Sequence, residues 1–438
     1  MEKKHPISEI LAARRSGAAA GVYSACTANR HVIFAVCKRA RETGAVALVE
    51  ATANQVNRYG GYTGLTPPEY AAFVKGIAAE AKLDLSRLVL GGDHLGPLTW
   101  QALDETEAME KAEELVRDYV RAGFTKIHID TSMRTASDSR GESLSDETIA
   151  RRGARLARAA EEEFAALAAR DAEAMHPIYC IGSEVPIPGG AQEAEDSVAV
   201  TAPGAFEHSV AAFRSAFDAA GVSAAWQYVT GVVVQPGVEF GDEDVIEYDA
   251  GKAAALTAAL HAHDGLVFEG HSTDYQTKYK LREMVRDGIA ILKVGPALTF
   301  ALREALFALA EMEAALLPQF PQLAPSRYIE TLDTAMTEDD GNWRKYYHGS
   351  EARQAFKRKY SFSDRCRYYL PDPRVQAAEA RLLANLSETG IPLSLLSQFM
   401  PVQYPRVREG RLSCTPEALL CDRIENCIDD YLFATGNR

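Results

Sequence analysis

Short apolar runs alternate with longer stretches of helical spacing from residue 21 to about residue 300. The runs are 21–26 (GVYSAC), 45–51 (AVALVEA), 88–93 (LVLGGD), 126–130 (KIHID), 176–181 (HPIYCI), 229–234 (VTGVVV), 266–270 (LVFEG) and 290–295 (AILKVG). Several lack the polar alternation of a half-exposed strand, as expected of parallel strands covered on both faces. Between them, 106–122, 145–169, 205–219 and 250–262 carry the spacing of crossover helices. Ser145-Asp146-Glu147 supplies a capped start, and Gly123 and Gly221 supply stops. Residues 7–20 are placed to cap the bottom of a barrel. Eight βα units without a break predict an α/β fold closed as a (βα)8 TIM barrel. An open doubly wound sheet usually shows a Gly-x-Gly-x-x-Gly loop after its first strand, whereas Thr27-Ala28-Asn29-Arg30-His31 stands there. Beyond residue 300 the pattern changes to helices at 303–317, 328–336, 352–360, 374–386 and 416–433, punctuated by prolines. The expected division is a barrel over 1–300 and a helical C-terminal extension over 301–438, packed on the barrel.

Composition narrows the class without naming a reaction. The chain has 438 residues, 47% hydrophobic and 25% charged, as in ordinary globular proteins. A formal net charge of -14 argues against a nucleic-acid surface, while leaving room for one phosphorylated metabolite. The seven cysteines form no Cys-x-x-Cys, no signal-peptide pattern follows the basic start, and no apolar run reaches membrane-spanning length. A cytoplasmic protein without a membrane partner is expected.

Polar residues gather at the predicted C-terminal strand ends, where barrel enzymes carry their chemistry. After the third strand, Asp93 and His94 follow two glycines; alternation would aim one at the mouth and set its neighbour to the side. His94 is a metal-ligand candidate, and Asp93 a proton carrier or ligand holder. The fourth strand ends in His128, Ile129 and Asp130; Asp130, nearer the mouth, is the better site candidate, and His128 reads as an interior group. Glu184, in a Gly/Pro-rich loop after the fifth strand, suits a metal ligand, a hydroxyl partner or a base. His271, after the seventh strand, is the natural partner of His94 on one cation; Asp274 suits substrate contact. Lys293 in the eighth strand suits a phosphate or a Schiff base, with Ser272, Gly295 and Thr299 as helpers. Asn29 and Asn54 suit a polyhydroxylated ligand, and Arg365 or Arg367 a distal phosphate or a surface ion-pair cluster. Neither a Gly-x-x-x-x-Gly-Lys-Ser/Thr loop nor a nucleophile elbow is present, which disfavours P-loop kinases and serine hydrolases.

Taken together, GVYSACTANRHVI (21–33), VEATANQVNRYGGYTG (49–64), GGDHLGP (91–97), KIHIDTSM (126–133), YCIGSEVPIPGG (179–190), FEGHSTDYQT (268–277), ILKVGPALTF (291–300) and SDRCRYY (363–369) resemble the Z-subunit family of D-tagatose-1,6-bisphosphate aldolase. That family acts in galactitol and N-acetylgalactosamine catabolism and is related in fold to class II, metal-dependent aldolases. The resemblance implies that Asp93 is a catalytic aspartate, that His94 and His271 bind a divalent cation, most simply Zn2+, and that Glu184 occupies the comparable acidic position. One departure is visible: class II aldolases carry another zinc histidine after the sixth strand, where this sequence reads Val234-Gln235-Pro236.

Three functions follow from the resemblance. The leading one is a component of D-tagatose-1,6-bisphosphate aldolase, supporting or performing metal-dependent retro-aldol cleavage to triose phosphates. In that reading Asp93, Asp130 or Glu184 moves protons and Lys293 holds phosphate. The second is a ketose-phosphate 4-epimerase, converting between the fructose 6-phosphate and tagatose 6-phosphate types. The third is a non-catalytic subunit that stabilises a separate aldolase chain. The expected partners are a phosphorylated ketose, a catalytic aldolase subunit and further copies of the chain.

Overall fold

The computed structural model describes residues 4–14, 18–139, 143–183 and 198–437. Eight parallel strands close into a barrel: β1 (Val22–Cys26), β2 (Ala47–Thr52), β3 (Leu88–Leu95), β4 (Lys126–Ile129), β5 (Ile178–Ile181), β6 (Val229–Val234), β7 (Val267–Gly270) and β8 (Ile289–Val294). Each coincides with one of the eight apolar runs, because a strand buried on both faces has no solvent side to mark with polar residues. The crossover helices Glu105–Arg121, Asp146–Ala168, Pro203–Ala219 and Ala250–Leu260 also fall where helical spacing puts them. Ser145 caps the second by accepting from the Thr148 amide. Outside the barrel sheet, a two-residue ribbon pairs Glu239–Phe240 with Val245–Ile246, which the sequence does not announce.

The helix Pro6–Arg14 closes the barrel floor. Its Ile7 and Leu11 pack with Val22, Leu48, Val89, Ile178 and Ile291, which point inward from the strand starts. Among the described residues, no helix is long and apolar enough to cross a membrane.

The last crossover helix, Pro296–Leu316, runs through position 300 and leads into further helices at Tyr328–Glu338, Glu351–Tyr360, Pro373–Thr389 and Pro416–Ala434. This helical annex is tied to the barrel at two levels. Pro416–Ala434 lies along the flank, where Tyr431 donates to the Thr273 carbonyl (2.9 Å) and Asp429 pairs with Arg39 (2.5 Å). The segment 361–369 lies across one side of the mouth. Tyr275 donates to the Phe362 carbonyl (2.6 Å), and Thr299 to Asp364 (2.6 Å). Tyr62, from the loop after β2, packs edge-on against Tyr368 with ring centroids 5.0 Å apart. The annex therefore forms part of the wall above the strand ends.

Candidate metal centre and substrate cavity

A local fault in β3 builds the centre. Gly92 pairs with Ile127 and Leu95 with Ile129, so β3 spends one more residue than β4 between those pairs. The extra residue is accommodated at Asp93 and His94, with His94 in the left-handed region at φ 49°. Strand alternation would separate the two side chains; the bulge instead brings both to His128 on β4. Gly96 permits the return: a Cβ there would stand 1.7 Å from the Asp130 carbonyl oxygen.

His94, His128 and His271 form a nearly equilateral triangle, with ring centroids 5.0, 5.0 and 5.2 Å apart. Asp93 and the three imidazoles each offer a ligand atom, all within 4.8 Å of one another. The outer hydrogen bonds decide which nitrogens face inward. His94 Nδ1 meets Asp130 Oδ2 (2.7 Å), with its Nε2 3.8 Å from Asp93 Oδ2, and His271 Nε2 meets Glu269 Oε1 (3.0 Å), so the opposite nitrogen of each ring faces the cluster. His128 Nδ1 lies 2.8 Å from Asp93 Oδ1 and 3.1 Å from the His94 amide nitrogen, while its Nε2 is buried with no hydrogen-bond partner. The His94 amide donates to Nδ1, so Nε2 carries the proton in that tautomer; a shift of the proton to Nδ1, toward Asp93, would free the Nε2 lone pair for a cation. Carboxylates holding the far nitrogens of converging imidazoles are the usual outer support of a metal site.

Charge supports the same reading. Beneath the triangle, Lys126 pairs with Glu50 (3.0 Å) and Glu269 (2.7 Å), while Lys293 pairs with Glu50 and with Asp93 (2.9 Å). With Asp130 included, two ammonium groups face four carboxylates, an acidic excess that adjoins the three imidazoles. Burial pushes the pKa of His271 down to about 4, so this ring is neutral and able to ligate. Burial also opposes the charge on His94, but Asp93 and Asp130 outweigh it and raise that pKa. Asp130 keeps its charge despite burial, because its bond to His94 and the neighbouring charges hold it at about 2. The residues therefore fit a divalent cation, with three imidazole nitrogens and one carboxylate oxygen as the donor set and the His94 proton given up on binding.

The centre lies at the bottom of a cavity of about 660 Å3. Asp93, His94, His271, Ser272, Asp274 and Lys293 line it from the barrel, as do Asn54, Gln55 and Tyr62 from the β2 loop. The annex adds Asn342, Lys345, Tyr346, Arg365, Arg367 and Tyr368. Of these, Asn342, Lys345 and Tyr346 carry no motif that local sequence could flag; only the return of the annex over the mouth brings them in.

Several expected residues have other work. Asn29 caps the helix Arg30–Thr43, accepting from the His31 and Val32 amides, and is not among the residues that line the cavity. Thr299 is bound to Asp364 and the Pro296 carbonyl. Asp130 stands behind His94 and orients its ring; it lines no part of the cavity. Lys293 reaches the cavity, but its ammonium is engaged by Asp93 and Glu50. Burial opposes that charge, yet the carboxylates hold it well above the usual lysine range, which removes the free amine a Schiff base requires. Asp274 Oδ1 accepts from the Gly295 and Ala297 amides (3.0 and 2.8 Å) at the start of Pro296–Leu316. Burial nevertheless raises its pKa to about 6, against those amides and Arg367. Gln235, in place of the strand-6 histidine, accepts from the Gly237 and Val238 amides and shapes a turn. Glu184 falls outside the described residues.

Replacing Asp130 with asparagine should weaken divalent-cation affinity about 10–100-fold, by loosening His94 and removing its negative partner. Competition against a chromophoric chelator measures this. An unchanged affinity would mean that His94 takes its orientation from elsewhere.

Residues 7–436 match the family described as D-tagatose-1,6-bisphosphate aldolase subunit GatZ/KbaZ-like. The structure of a probable tagatose 6-phosphate kinase from Sinorhizobium meliloti 1021 is 44% identical. That match covers 94% of this chain and 100% of the other, with a TM-score of 0.85. The YdjI aldolase of Escherichia coli K12 is 10% identical, with 89% and 98% of the two chains covered and a TM-score of 0.40. A fructose-bisphosphate aldolase from Campylobacter jejuni is 11% identical, with 87% and 91% covered and a TM-score of 0.39. Likeness at the level of the last two carries no functional information. The chain belongs to the GatZ/KbaZ-like family.

Proposed function

We propose that this chain performs metal-dependent aldol-type chemistry on a phosphorylated ketose, as a component of D-tagatose-1,6-bisphosphate aldolase. The supporting observation is the triangle of His94, His128 and His271 beside Asp93 at the bottom of the cavity. It assembles a donor set within one chain, although the strand-6 histidine is missing. That favours chemistry by the chain itself over a purely supporting role.

A divalent cation, Zn2+ by donor type, supplies Lewis acidity toward a carbonyl or hydroxyl oxygen when bound. The protein's own groups divide the remaining tasks. Lys293 helps keep Asp93 ionised, and Lys126 with Lys293 keeps Glu269 ionised, both against burial. Asp274, with a pKa of about 6 and one oxygen engaged by helix amides, is suited to exchange a proton near neutral pH. Asn54 and Gln55 offer hydroxyl partners on the cavity wall.

C4 epimerisation is the second reading. The Tyr62–Tyr368 contact over the mouth favours it, since both fragments of a cleaved ketose must be retained for re-addition. The tagatose 6-phosphate in the name of the Sinorhizobium protein agrees with a ketose-phosphate substrate. Kinase chemistry is not carried over, because the donor cluster of His94, His128, His271 and Asp93 at the cavity floor suits a carbonyl-polarising cation. The missing Gly-x-x-x-x-Gly-Lys-Ser/Thr loop also disfavours the P-loop class.

The purified chain should be offered D-tagatose 1,6-bisphosphate and D-fructose 6-phosphate, with added Zn2+ and after chelation. Triose phosphates appearing only with metal are the expected result, and tagatose 6-phosphate would select the epimerase. His94→Ala and His271→Ala should each abolish turnover. Absence of metal-dependent turnover on both sugars would reject the proposal.

A further inference from the structure

In many barrels a phosphate rests beyond β7 and β8, on backbone amides at a helix N-terminus. Here that place is taken by the chain itself. Asp274 accepts from the Gly295 and Ala297 amides. The Thr299 hydroxyl goes to Asp364, and Lys293 is paired with Asp93 and Glu50. An incoming phosphate would have to displace a carboxylate to reach the helix.

The annex wall of the same cavity has the opposite character. Lys345, Arg365 and Arg367 all line it. Among the described residues none of the three forms an ion pair with a carboxylate; their partners are neutral. Arg365 is 4% exposed and donates to the Asn342 carbonyl (3.0 Å), while its Nε is buried without a partner. Arg367 donates to the Ser363 and Asp364 carbonyls and to the Tyr368 hydroxyl (3.0 Å). The nearby carboxylates are committed elsewhere, Asp364 to Thr299 and Arg303, and Asp274 to the helix amides. Arginine cannot shed its proton in a protein, so a buried guanidinium without a counter-ion stays charged at a cost. An anion entering from the cavity would offset that cost for Arg365 and would meet the half-buried Arg367 beside it.

We infer that Lys345, Arg365 and Arg367 form the phosphate-binding wall of this cavity, holding a phosphate monoester of the sugar against the annex rather than at the β7–β8 helix terminus. The inference rests on the reading of the substrate as a phosphorylated ketose. It gives the annex a binding role: the barrel supplies the reactive floor, and the annex the anchor that sets how far the sugar reaches toward it.

The test is phosphate binding by the full chain stripped of metal with chelator, followed by calorimetry and 31P line broadening. The probes are inorganic phosphate, D-fructose 6-phosphate and unphosphorylated D-fructose. Lys345→Glu and Arg367→Gln should each weaken inorganic phosphate and D-fructose 6-phosphate about tenfold or more, as expected for loss of a charge-assisted contact. D-fructose should be indifferent to both. Lys345 is exposed, so Lys345→Glu keeps the test decisive if Arg367→Gln fails to fold. Thr299→Val should bind phosphate like the parent. Phosphate affinity unchanged by the annex variants, or lost on Thr299→Val alone, would overturn the inference, as would no binding of either phosphate probe. Because these titrations use no metal and no turnover, they can succeed where the proposed chemistry fails, or fail where it succeeds.

Discussion

His128→Ala should cost the protein at least about 100-fold in divalent-cation affinity, beyond the 10–100-fold typical of groups that only support a ligand. Its Nε2 is buried and unpartnered, and leaving such an atom unsatisfied costs about 1–3 kcal/mol. The other two imidazoles turn a nitrogen toward the cluster because Asp130 and Glu269 hold the opposite atoms. Three imidazoles whose ligand atoms lie within 4.8 Å of one another, with an acidic excess around them, fit a shared cation. Metal content after dialysis and a competitive zinc titration provide the measurement. His176→Ala is the control, since that ring is stacked on Tyr228 away from the triangle and should leave metal content unchanged. If His128→Ala retained the parent's stoichiometry with affinity within about twofold, the triangle would be a packed polar core, and metal ligation by His94 and His271 would need another third donor.

How far this centre was legible in the sequence depends on the range of the contacts that make it. The eight strands and main helices could be read because burial on both faces and helical periodicity are local signals. His94, His271 and Asp93 could be read because each stands at a strand end beside glycines. His128 reads as an interior group from β4 alone; it joins the candidate cluster because β3 is bulged opposite it, and a bulge leaves no clear mark in Gly-Gly-Asp-His. Asn29 carries a local signal for its capping role, an asparagine directly before a helical run. Thr299, Lys293 and Asp274 meet partners from distant segments, so their commitments appear only when annex and barrel are assembled. The cavity residues Asn342, Lys345 and Tyr346 were missed for the same reason. No histidine stands after the sixth strand, and the third imidazole of the cluster, His128, comes from β4 instead.

Lys126→Met should destabilise the protein by about 3–5 kcal/mol at neutral pH, the range for removing one member of a buried charge cluster. Lys126 is fully buried between Glu50 and Glu269. Methionine fills nearly the same volume, so the loss is electrostatic and not a cavity effect. Burial opposes the ammonium, but the neighbouring acidic groups raise its pKa above the usual lysine range; that contribution is complete at neutral pH and fades only in strong alkali. Glu269 is shifted the opposite way: burial is outweighed by Lys126 and Lys293, so its contribution is present above the ordinary glutamate range and is lost in acid. In the variant, Glu269 keeps Lys293 but loses its closest cation, and burial then favours its protonated form. The stability gap between parent and variant should therefore narrow as pH falls through the carboxylate range. Lys126→Met combined with Glu269→Gln should recover part of the loss, because the amide oxygen can still accept from His271 while the unpaired charge is gone. Urea unfolding at pH 7 and pH 5 provides the comparison. Equal midpoints for Lys126→Met and the parent at pH 7 would show that the charged floor contributes nothing net to stability, and that its ordering of Asp93 and the histidines is its whole value to the fold.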